Sequence, residues 1–224
     1  MAKAKVIVFD FDGTLVDTRA AYVEMLGRAF DRFGIRVRSA EVSRTLVPTI
    51  KGTIERLLMR TKRYEAQLVH KLEHETIELL GTRWVKNVVV KKDMIELLAK
   101  LNEKGSTVYL ASNSHSSFVL PALKKFDLEQ YFREVITLDS GYNGKHEMLT
   151  DISQRSGCAL KSLVYVGDTR MDIEMAEELG CRLVLLITKS SWDFDKKSQL
   201  VEAAKGKKNV KVAFGLKEAE ELLV

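Results

Sequence analysis

Short apolar runs rich in β-branched residues alternate with helical patterns along most of this chain. These runs lie at residues 6–9, 107–111, 134–138, 163–166 and 182–187. Continuous apolar runs of this length are typical of strands that are buried on both faces of a parallel sheet. A last strand–helix pair is predicted over residues 210–223.

Amphipathic helical patterns fill the intervals between the later runs. Helices are predicted near residues 93–103, 117–126, 145–156 and 171–179. Strands that alternate with helices imply βαβ units and a parallel, doubly wound sheet. The predicted fold class is therefore α/β, with a Rossmann-like core of three layers around a parallel sheet and a small all-helical cap subdomain.

The cap subdomain is predicted from the stretch after the first strand, where only helical periodicity occurs. Apolar residues recur at helical spacing over residues 22–33, and further helical patterns follow over 41–80. We interpret residues 18–86 as the helical cap and residues 1–17 with 87–224 as a discontinuous α/β core. The insert leaves the core directly after the turn that follows the first strand and returns before the second core helix, so both connections can act as hinges and we expect the insert to be a mobile lid.

Composition narrows the class of protein. The 224 residues are 46% hydrophobic and 30% charged with a net charge of +5, which is ordinary for a soluble globular chain. No segment approaches the length of a membrane span. The densest basic patch, residues 196–211, has no interleaved aromatic residues, so nucleic-acid binding is disfavoured. Cys158 and Cys181 lack metal-ligand spacing and are expected to be buried thiols. We expect a cytoplasmic protein, monomeric or homodimeric, without membrane partners.

Polar side chains suited to a metal ion and a phosphate follow four of the predicted strands. They are Asp10, Asp12, Gly13 and Thr14 after the first strand, Ser112 and Asn113 after the second, Lys145 after the third, and Asp168 and Asp172 after the fourth. The carboxyl ends of parallel strands meet at one edge of the sheet, where ligands of open α/β sheets bind. Carboxylates suit a hard divalent cation, and a lysine and helix N-termini suit a phosphate.

Each of these residues alone also has an ordinary structural explanation. The Asp12-Gly13 pair is a turn signal, and Ser112 or Asn113 could cap a helix. Lys145 alone would be a solvated lysine, and Asp172 alone would be favoured by a helix dipole. The ordered set favours a functional site.

The motifs resemble those of the haloacid dehalogenase-like hydrolase superfamily. In order they are Asp10-Phe11-Asp12-Gly13-Thr14-Leu15 with Asp17, Ser112-Asn113, Lys145, and Gly167-Asp168 with Asp172. The position of the helical insert resembles the phosphoglycolate phosphatase-like and β-phosphoglucomutase-like branch. The chain departs from that branch after Lys145, where His146-Glu147-Met148 stands in place of the common prolines. The insert also matches no particular subgroup.

The resemblance implies a Mg²⁺-dependent phosphatase that hydrolyses small phosphorylated metabolites through an aspartyl-phosphate. It implies that Asp10 is the nucleophile and that Asp12 is the general acid and base. It assigns Mg²⁺ to Asp10, the Asp12 backbone carbonyl, Asp168 and Asp172, and the phosphate oxygens to Gly13, Thr14, Ser112, Asn113 and Lys145.

Two alternative functions stay open. A phosphosugar mutase of the β-phosphoglucomutase type would use the same aspartyl-phosphate, and the core motifs do not separate it from a phosphatase. A non-catalytic binding protein on the same fold belongs to a different class. Dehalogenase and phosphonate-cleaving chemistry are disfavoured because those branches lack the second acid, which is Asp12 here.

Three further residues or pairs are weaker candidates. Lys51 lies where the branch has its substrate-specificity loop and is a candidate for substrate contact. His70 and His74 have the i, i+4 spacing of zinc ligands, but no third ligand is evident, so a solvated helix face is favoured. Trp192 follows the fifth strand and could border the pocket.

Overall fold

A computed structural model describes residues 5–47, 49–83, 90 and 92–224. The strands are β1 (Val6–Phe9), β2 (Thr107–Ala111), β3 (Glu134–Ile136), β4 (Val164–Gly167), β5 (Arg182–Leu186) and β6 (Val210–Ala213). The helices are α1 (Arg19–Arg32), α2 (Ser39–Thr45), α3 (Ile50–Arg60), α4 (Ala66–Thr82), α5 (Lys92–Glu103), α6 (Ser116–Lys125), α7 (Lys145–Ser156), α8 (Arg170–Leu179), α9 (Lys197–Ala204) and α10 (Leu216–Leu223).

The six strands form one parallel sheet in the order β3-β2-β1-β4-β5-β6. Strand β1 lies inside the sheet, and its Val8 pairs with Tyr109 of β2 and with Tyr165 of β4. Side chains alternate between the faces: Ile7 and Phe9 pack into one hydrophobic cluster, and Val8 packs into the other. Burial on both faces explains why the strands appear in the sequence as unbroken apolar runs.

Helices cover both faces of the sheet. Helices α5, α6 and α10 contribute buried residues to the same cluster as Phe9, whereas α7, α8 and α9 contribute to the cluster of Val8. The result is a helix–sheet–helix arrangement of three layers. The predicted α/β class with a Rossmann-like parallel sheet is confirmed.

The described residues between β1 and α5 form helices α1–α4, as the periodicity predicts. Their fully buried side chains include Leu26, Leu58 and Leu72, which join the hydrophobic cluster that also contains residues of α5 and α6. Helix α4 packs against α1 and α3 and also against α6. The division into cap and core remains a prediction, and its boundary at residues 86–87 lies outside the described residues.

Local differences from the predicted elements are small. Strand β3 ends at Ile136 rather than at 138, because Leu138–Ser140 forms a 3₁₀ turn whose start is capped by Thr137 and Ser140. Cys158 and Cys181 are both free and buried, as expected. The described helices include none that is long and apolar enough to cross a bilayer.

Candidate active site

The turn after β1 brings Asp10 and Asp12 to the carboxyl edge of the sheet. The Asp10 N–H donates to the carbonyl of Val166 in β4, which continues the strand pairing up to the first acid. Gly13 then adopts a φ of +78°, a left-handed conformation that favours glycine. A Cβ on Gly13 would also lie 2.8 Å from Cδ1 of Trp192, so the turn needs both the conformation and the small size of glycine.

Three buried carboxylates converge at this edge. Asp10, Asp168 and Asp172 each offer an oxygen within 4.8 Å of the others. Lys145, the first residue of α7, places Nζ 2.6 Å from Asp10 Oδ2 and 3.3 Å from Asp172 Oδ1. Three carboxylates and one ammonium leave two negative charges uncompensated, which fits a divalent cation with oxygen ligands.

The N-terminus of α8 orients Asp172. Oδ2 of Asp172 accepts hydrogen bonds from the backbone N–H groups of Asp168 and Thr169 and from the Thr169 hydroxyl. Thr169 and Asp172 together form the capping box of this helix. These bonds occupy Oδ2, and Oδ1 is the oxygen that faces Lys145. A single residue therefore caps the helix with one oxygen and supplies the acidic cluster with the other.

Asp168 is held by two neighbours from distant parts of the chain. Its Oδ1 accepts the hydroxyl of Thr14 at 3.0 Å, and its Oδ2 accepts the backbone N–H of Trp192 at 2.6 Å. The loop after β1 and the loop after β5 are thereby joined through one carboxylate.

The charges of the cluster shift its pKa values. Burial raises the pKa of Asp10 to about 7; Lys145 opposes this shift, and Asp172 and Asp12 add to it. Burial and the nearby carboxylates raise the pKa of Asp168 well above its usual range. Burial opposes ionisation of Asp172, but Lys145 and the bonds from Thr169 hold its pKa below the usual value. Raised carboxyl pKa values indicate a site with too little positive charge of its own.

Asp12 lies beside the cluster with its two oxygens in different surroundings. Oδ2 accepts the Ser114 hydroxyl at 2.6 Å and lies 3.5 Å from Ser112 Oγ. Oδ1 is buried and has no hydrogen-bond partner among the described residues. Burial raises the pKa of Asp12, and the hydrogen bond from Ser114 opposes that rise.

The acids face a cavity of about 220 Å³. Its lining includes Asp10, Asp12, Asn113, Lys145, Met171 and Trp192. A wider cleft of about 860 Å³ lies between helices α1–α3 and the segment 192–196, and shares Thr169, Met171 and Trp192 with the first cavity. The arrangement offers a small chamber that contains the acids and Lys145, and a larger space beside it.

The structure brings most of the sequence-predicted residues together, although their contacts differ. Ser112 is fully buried and its Oγ accepts the N–H of Ser114, while Asn113 lines the cavity. The Thr14 hydroxyl is bonded to Asp168 rather than directed at the cavity. Trp192 borders the cavity, as predicted, and donates its indole N–H to Thr18 at 3.0 Å.

The weaker candidates lie outside this chamber. Lys51 is exposed in the first turn of α3, beside Thr49 and Gly52 of the wider cleft. His70 and His74 are exposed on α4, and in the described part of the chain only the three aspartates form a group of metal-ligand type.

Two polar residues of the site, Tyr22 and Ser114, have no role in the sequence-based assignment. Tyr22 of α1 and Ser114 form a buried hydroxyl–hydroxyl contact of 2.7 Å next to Asp12. The sequence contains only a weak signal for these two residues. Tyr22 lies on the buried face of its helix, four residues after the buried Thr18, and Ser114 directly follows the Ser112-Asn113 motif.

Comparisons with known proteins agree with this geometry. A family model described as haloacid dehalogenase-like hydrolase matches residues 7–186. A phosphoglycolate phosphatase from Shigella boydii is 26% identical over 196 residues, 78% of each chain. A relative from Caldanaerobacter subterraneus, whose name proposes a pyrophosphatase, is 25% identical over 187 residues, 81% of each chain. A solved haloacid dehalogenase-like family protein from Streptococcus pneumoniae has the same fold, with a TM-score of 0.79, 16% identity and full coverage of both chains.

Proposed function

The chain belongs to the haloacid dehalogenase-like hydrolases, and from this premise we propose that it is a Mg²⁺-dependent phosphatase that hydrolyses small phosphomonoesters through an aspartyl-phosphate. The observation that carries the proposal is the buried group of Asp10, Asp168 and Asp172 with Lys145 among them. Such a group combines a nucleophile, ligands for a hard cation and a fixed positive charge for a phosphate.

Two carboxylates divide the chemistry. Asp10 attacks phosphorus, the bond from phosphorus to the leaving oxygen breaks, and Asp12 gives its proton to that oxygen. Water then attacks the aspartyl-phosphate and transfers a proton to Asp12, which releases phosphate and restores Asp10. Lys145 and Asn113, which line the same cavity, bind the phosphoryl oxygens and hold phosphorus in line with Asp10.

The donor set fits Mg²⁺. The side chains of Asp10, Asp168 and Asp172 would hold the ion, together with the backbone carbonyl of Asp12. When bound, the ion supplies positive charge that stabilises the charge on the transferring phosphoryl group. Thr14 and Thr169 keep their acceptor carboxylates oriented toward this position.

The size of the chamber and the names of the relatives guide the choice of substrate. A cavity of about 220 Å³ suits a phosphoryl group with a compact leaving group. Phosphoglycolate and pyrophosphate are the first compounds to test, because one similar protein is named a phosphoglycolate phosphatase and the name of another proposes a pyrophosphatase. Lys51 remains a prediction for substrate contact.

A phosphate-release assay over a panel of compact phosphomonoesters, with the phosphoanhydride pyrophosphate added, tests the proposal. The panel contains phosphoglycolate, pyrophosphate, glycerol and sugar phosphates, and p-nitrophenyl phosphate, each assayed with and without Mg²⁺. We expect Mg²⁺-dependent release of phosphate from at least one compact ester. Transfer of the phosphoryl group between positions of a sugar phosphate, without release, would instead identify a mutase. Absence of both reactions would leave a binding protein and contradict the proposal.

A further inference from the structure

A buried chain of hydroxyl groups connects helix α1 to Asp12. The Tyr22 hydroxyl lies 2.7 Å from Ser114 Oγ, and Ser114 Oγ lies 2.6 Å from Asp12 Oδ2. Tyr22 is 4% exposed and Ser114 is 5% exposed, so water does not compete freely for these bonds.

The direction of these hydrogen bonds follows from counting protons. Ser114 has one hydroxyl proton, and it donates that proton to Asp12 Oδ2. Tyr22 must therefore donate to Ser114, since an oxygen without a spare proton can only accept. Burial and the Asp12 charge raise the pKa of Tyr22 well above its usual value, so its hydroxyl keeps the proton that this chain requires.

The hydroxyl groups of Tyr22 and Ser114 reach only one of the two carboxylate oxygens of Asp12. Oδ2 is occupied by Ser114, while Oδ1 has no hydrogen-bond partner within the described residues. A proton on Oδ2 would compete with the incoming Ser114 donor. The Ser114 hydroxyl therefore fixes the rotation of the Asp12 carboxylate, and Asp12 lines the adjoining cavity.

From these contacts we infer that Tyr22 and Ser114 are positioning residues that hold the Asp12 carboxylate by Oδ2 in the orientation for proton transfer. The inference rests on the proposed phosphatase function and assigns roles to two residues outside the four motifs. In the first half-reaction the bond from Asp10 to phosphorus forms, the bond to the leaving oxygen breaks, and the proton on the Asp12 carboxyl moves to that oxygen.

The aromatic ring of Tyr22 fixes the hydroxyl at this place. It packs edge-on against Phe118 of α6, with ring centroids 6.0 Å apart, and against Trp192, with centroids 5.0 Å apart. Helix α1 belongs to the predicted cap, so the orientation of Asp12 depends on this helix resting against the loop after β2.

Leaving-group dependence separates positioning of a general acid from a structural role. An alkoxide needs a proton as it departs, whereas the weakly basic p-nitrophenolate does not. The variants are Tyr22→Phe and Ser114→Ala, and kcat/KM is measured with p-nitrophenyl phosphate and with the alkyl phosphate of the panel that the wild type hydrolyses fastest. The value of kcat/KM reports the half-reaction in which the leaving group departs.

We expect kcat/KM for the alkyl phosphate to fall roughly tenfold to a hundredfold in both variants, the range that one hydrogen bond to a charged group spans. For p-nitrophenyl phosphate we expect a change of no more than about twofold. Ser114→Thr keeps the hydroxyl and should recover most of the lost activity. Equal losses with both substrates, or no loss with either, would overturn the inference.

Two comparisons keep the result interpretable. Tyr142→Phe removes a hydroxyl that donates to Asp151 at 2.8 Å and takes no part in the contacts of Asp12. This substitution should leave the ratio of the two kcat/KM values unchanged. If Ser114→Ala fails to fold, Tyr22→Phe alone tests the positioning role, because this substitution removes one oxygen and keeps the ring contacts. A wild-type protein that hydrolyses neither substrate contradicts the proposed function itself, which is a distinguishable result.

Discussion

Lys145 Nζ lies 2.6 Å from Asp10 Oδ2, although 135 residues separate the two along the chain. The lysine begins α7 and the aspartate follows β1, so the contact depends on the crossover that carries the chain from β3 back toward β4. The Lys145 side chain is only 13% exposed and also contacts Asp172. It is the cation that offsets part of the charge of the acidic cluster.

Lys145→Met is predicted to make stability depend more strongly on magnesium than it does in the wild type. Removing one member of a buried ion pair costs about 3–5 kcal/mol of unfolding free energy, because the remaining carboxylates repel each other. Added Mg²⁺ should recover part of this loss, as measured by denaturant unfolding with and without the ion. Lys100→Met, which breaks the exposed pair with Glu220, is the control and should respond equally in both conditions. A Lys145→Met loss of the same size in both conditions would contradict the prediction.

Asp10→Asn is predicted to abolish phosphate release while the fold is retained. An amide cannot serve as the attacking carboxylate, and covalent and acid–base steps contribute at least about a hundredfold each. Turnover with p-nitrophenyl phosphate is the measurement, and circular dichroism checks the fold. Activity above about a hundredth of the wild-type value would exclude Asp10 as the nucleophile.

Removal of divalent metal is predicted to inactivate the enzyme reversibly. After treatment with EDTA and desalting, addition of Mg²⁺ should restore phosphate release, because Lys145 compensates only part of the charge of Asp10, Asp168 and Asp172. Ca²⁺ should bind but support little turnover, since its larger and looser coordination shell disturbs in-line geometry. Mg²⁺ should also raise the thermal midpoint of unfolding in proportion to its occupancy. Full activity after exhaustive chelation would refute a role for the metal.

Much of the fold could be predicted because its signals are local. The inner strands are buried on both faces and therefore appear as apolar runs, as residues 107–111 show. Helix α7 begins at Lys145 and ends before Gly157, whose φ of +62° is typical of a helix C-terminus. Parallel strands then bring their carboxyl ends to one edge, so the order of the motifs along the chain implies that they meet.

Contacts between side chains could not be predicted in the same way. The Tyr22–Ser114 contact depends on how α1 rests on the loop after β2, and neither residue has a sequence pattern that reports this packing. The bond from the Thr14 hydroxyl to Asp168 likewise depends on the spacing of two loops. Sequence identifies which residues reach the edge of the sheet, and packing decides which atoms are free to act.

Asp139 is predicted to stabilise the fold in a pH-dependent manner. It accepts hydrogen bonds from the backbone N–H and the hydroxyl of Ser116 at the start of α6, and from Thr137. Burial acts against ionisation, but these bonds prevail and lower the pKa of Asp139 to about 2. A lowered pKa in the folded state stabilises the protein above the unfolded value of about 4, and this contribution is lost as pH falls toward 2.

Asp139→Asn should therefore cost about 1 kcal/mol near pH 7, a typical value for a helix-capping group. The difference from the wild type should shrink as pH falls below about 4, because the wild-type carboxyl is then protonated. Denaturant unfolding at pH 7, 5 and 3 measures it. Asp31→Asn makes the same chemical change at an exposed position of α1 and serves as the control. A difference that is constant over this range would rule out the charged cap.

Gly13 and Gly206 provide a matched pair that tests how closely the loops approach the acidic cluster. Both have a φ of +78°, so alanine pays the same backbone penalty at each position, about 1–2 kcal/mol. A Cβ on Gly206 would meet nothing within 4 Å, whereas a Cβ on Gly13 would lie 2.9 Å from Cγ of Asp168 and 2.8 Å from Cδ1 of Trp192. Gly206→Ala should lower the free energy of unfolding only by this backbone penalty and should keep the wild-type activity. Gly13→Ala should unfold at lower denaturant and need more Mg²⁺ for half-maximal activity, because Asp168 must shift away from Thr14. Equal losses of stability, with an unchanged Mg²⁺ requirement, would show that the space around Gly13 is not needed to place Asp168.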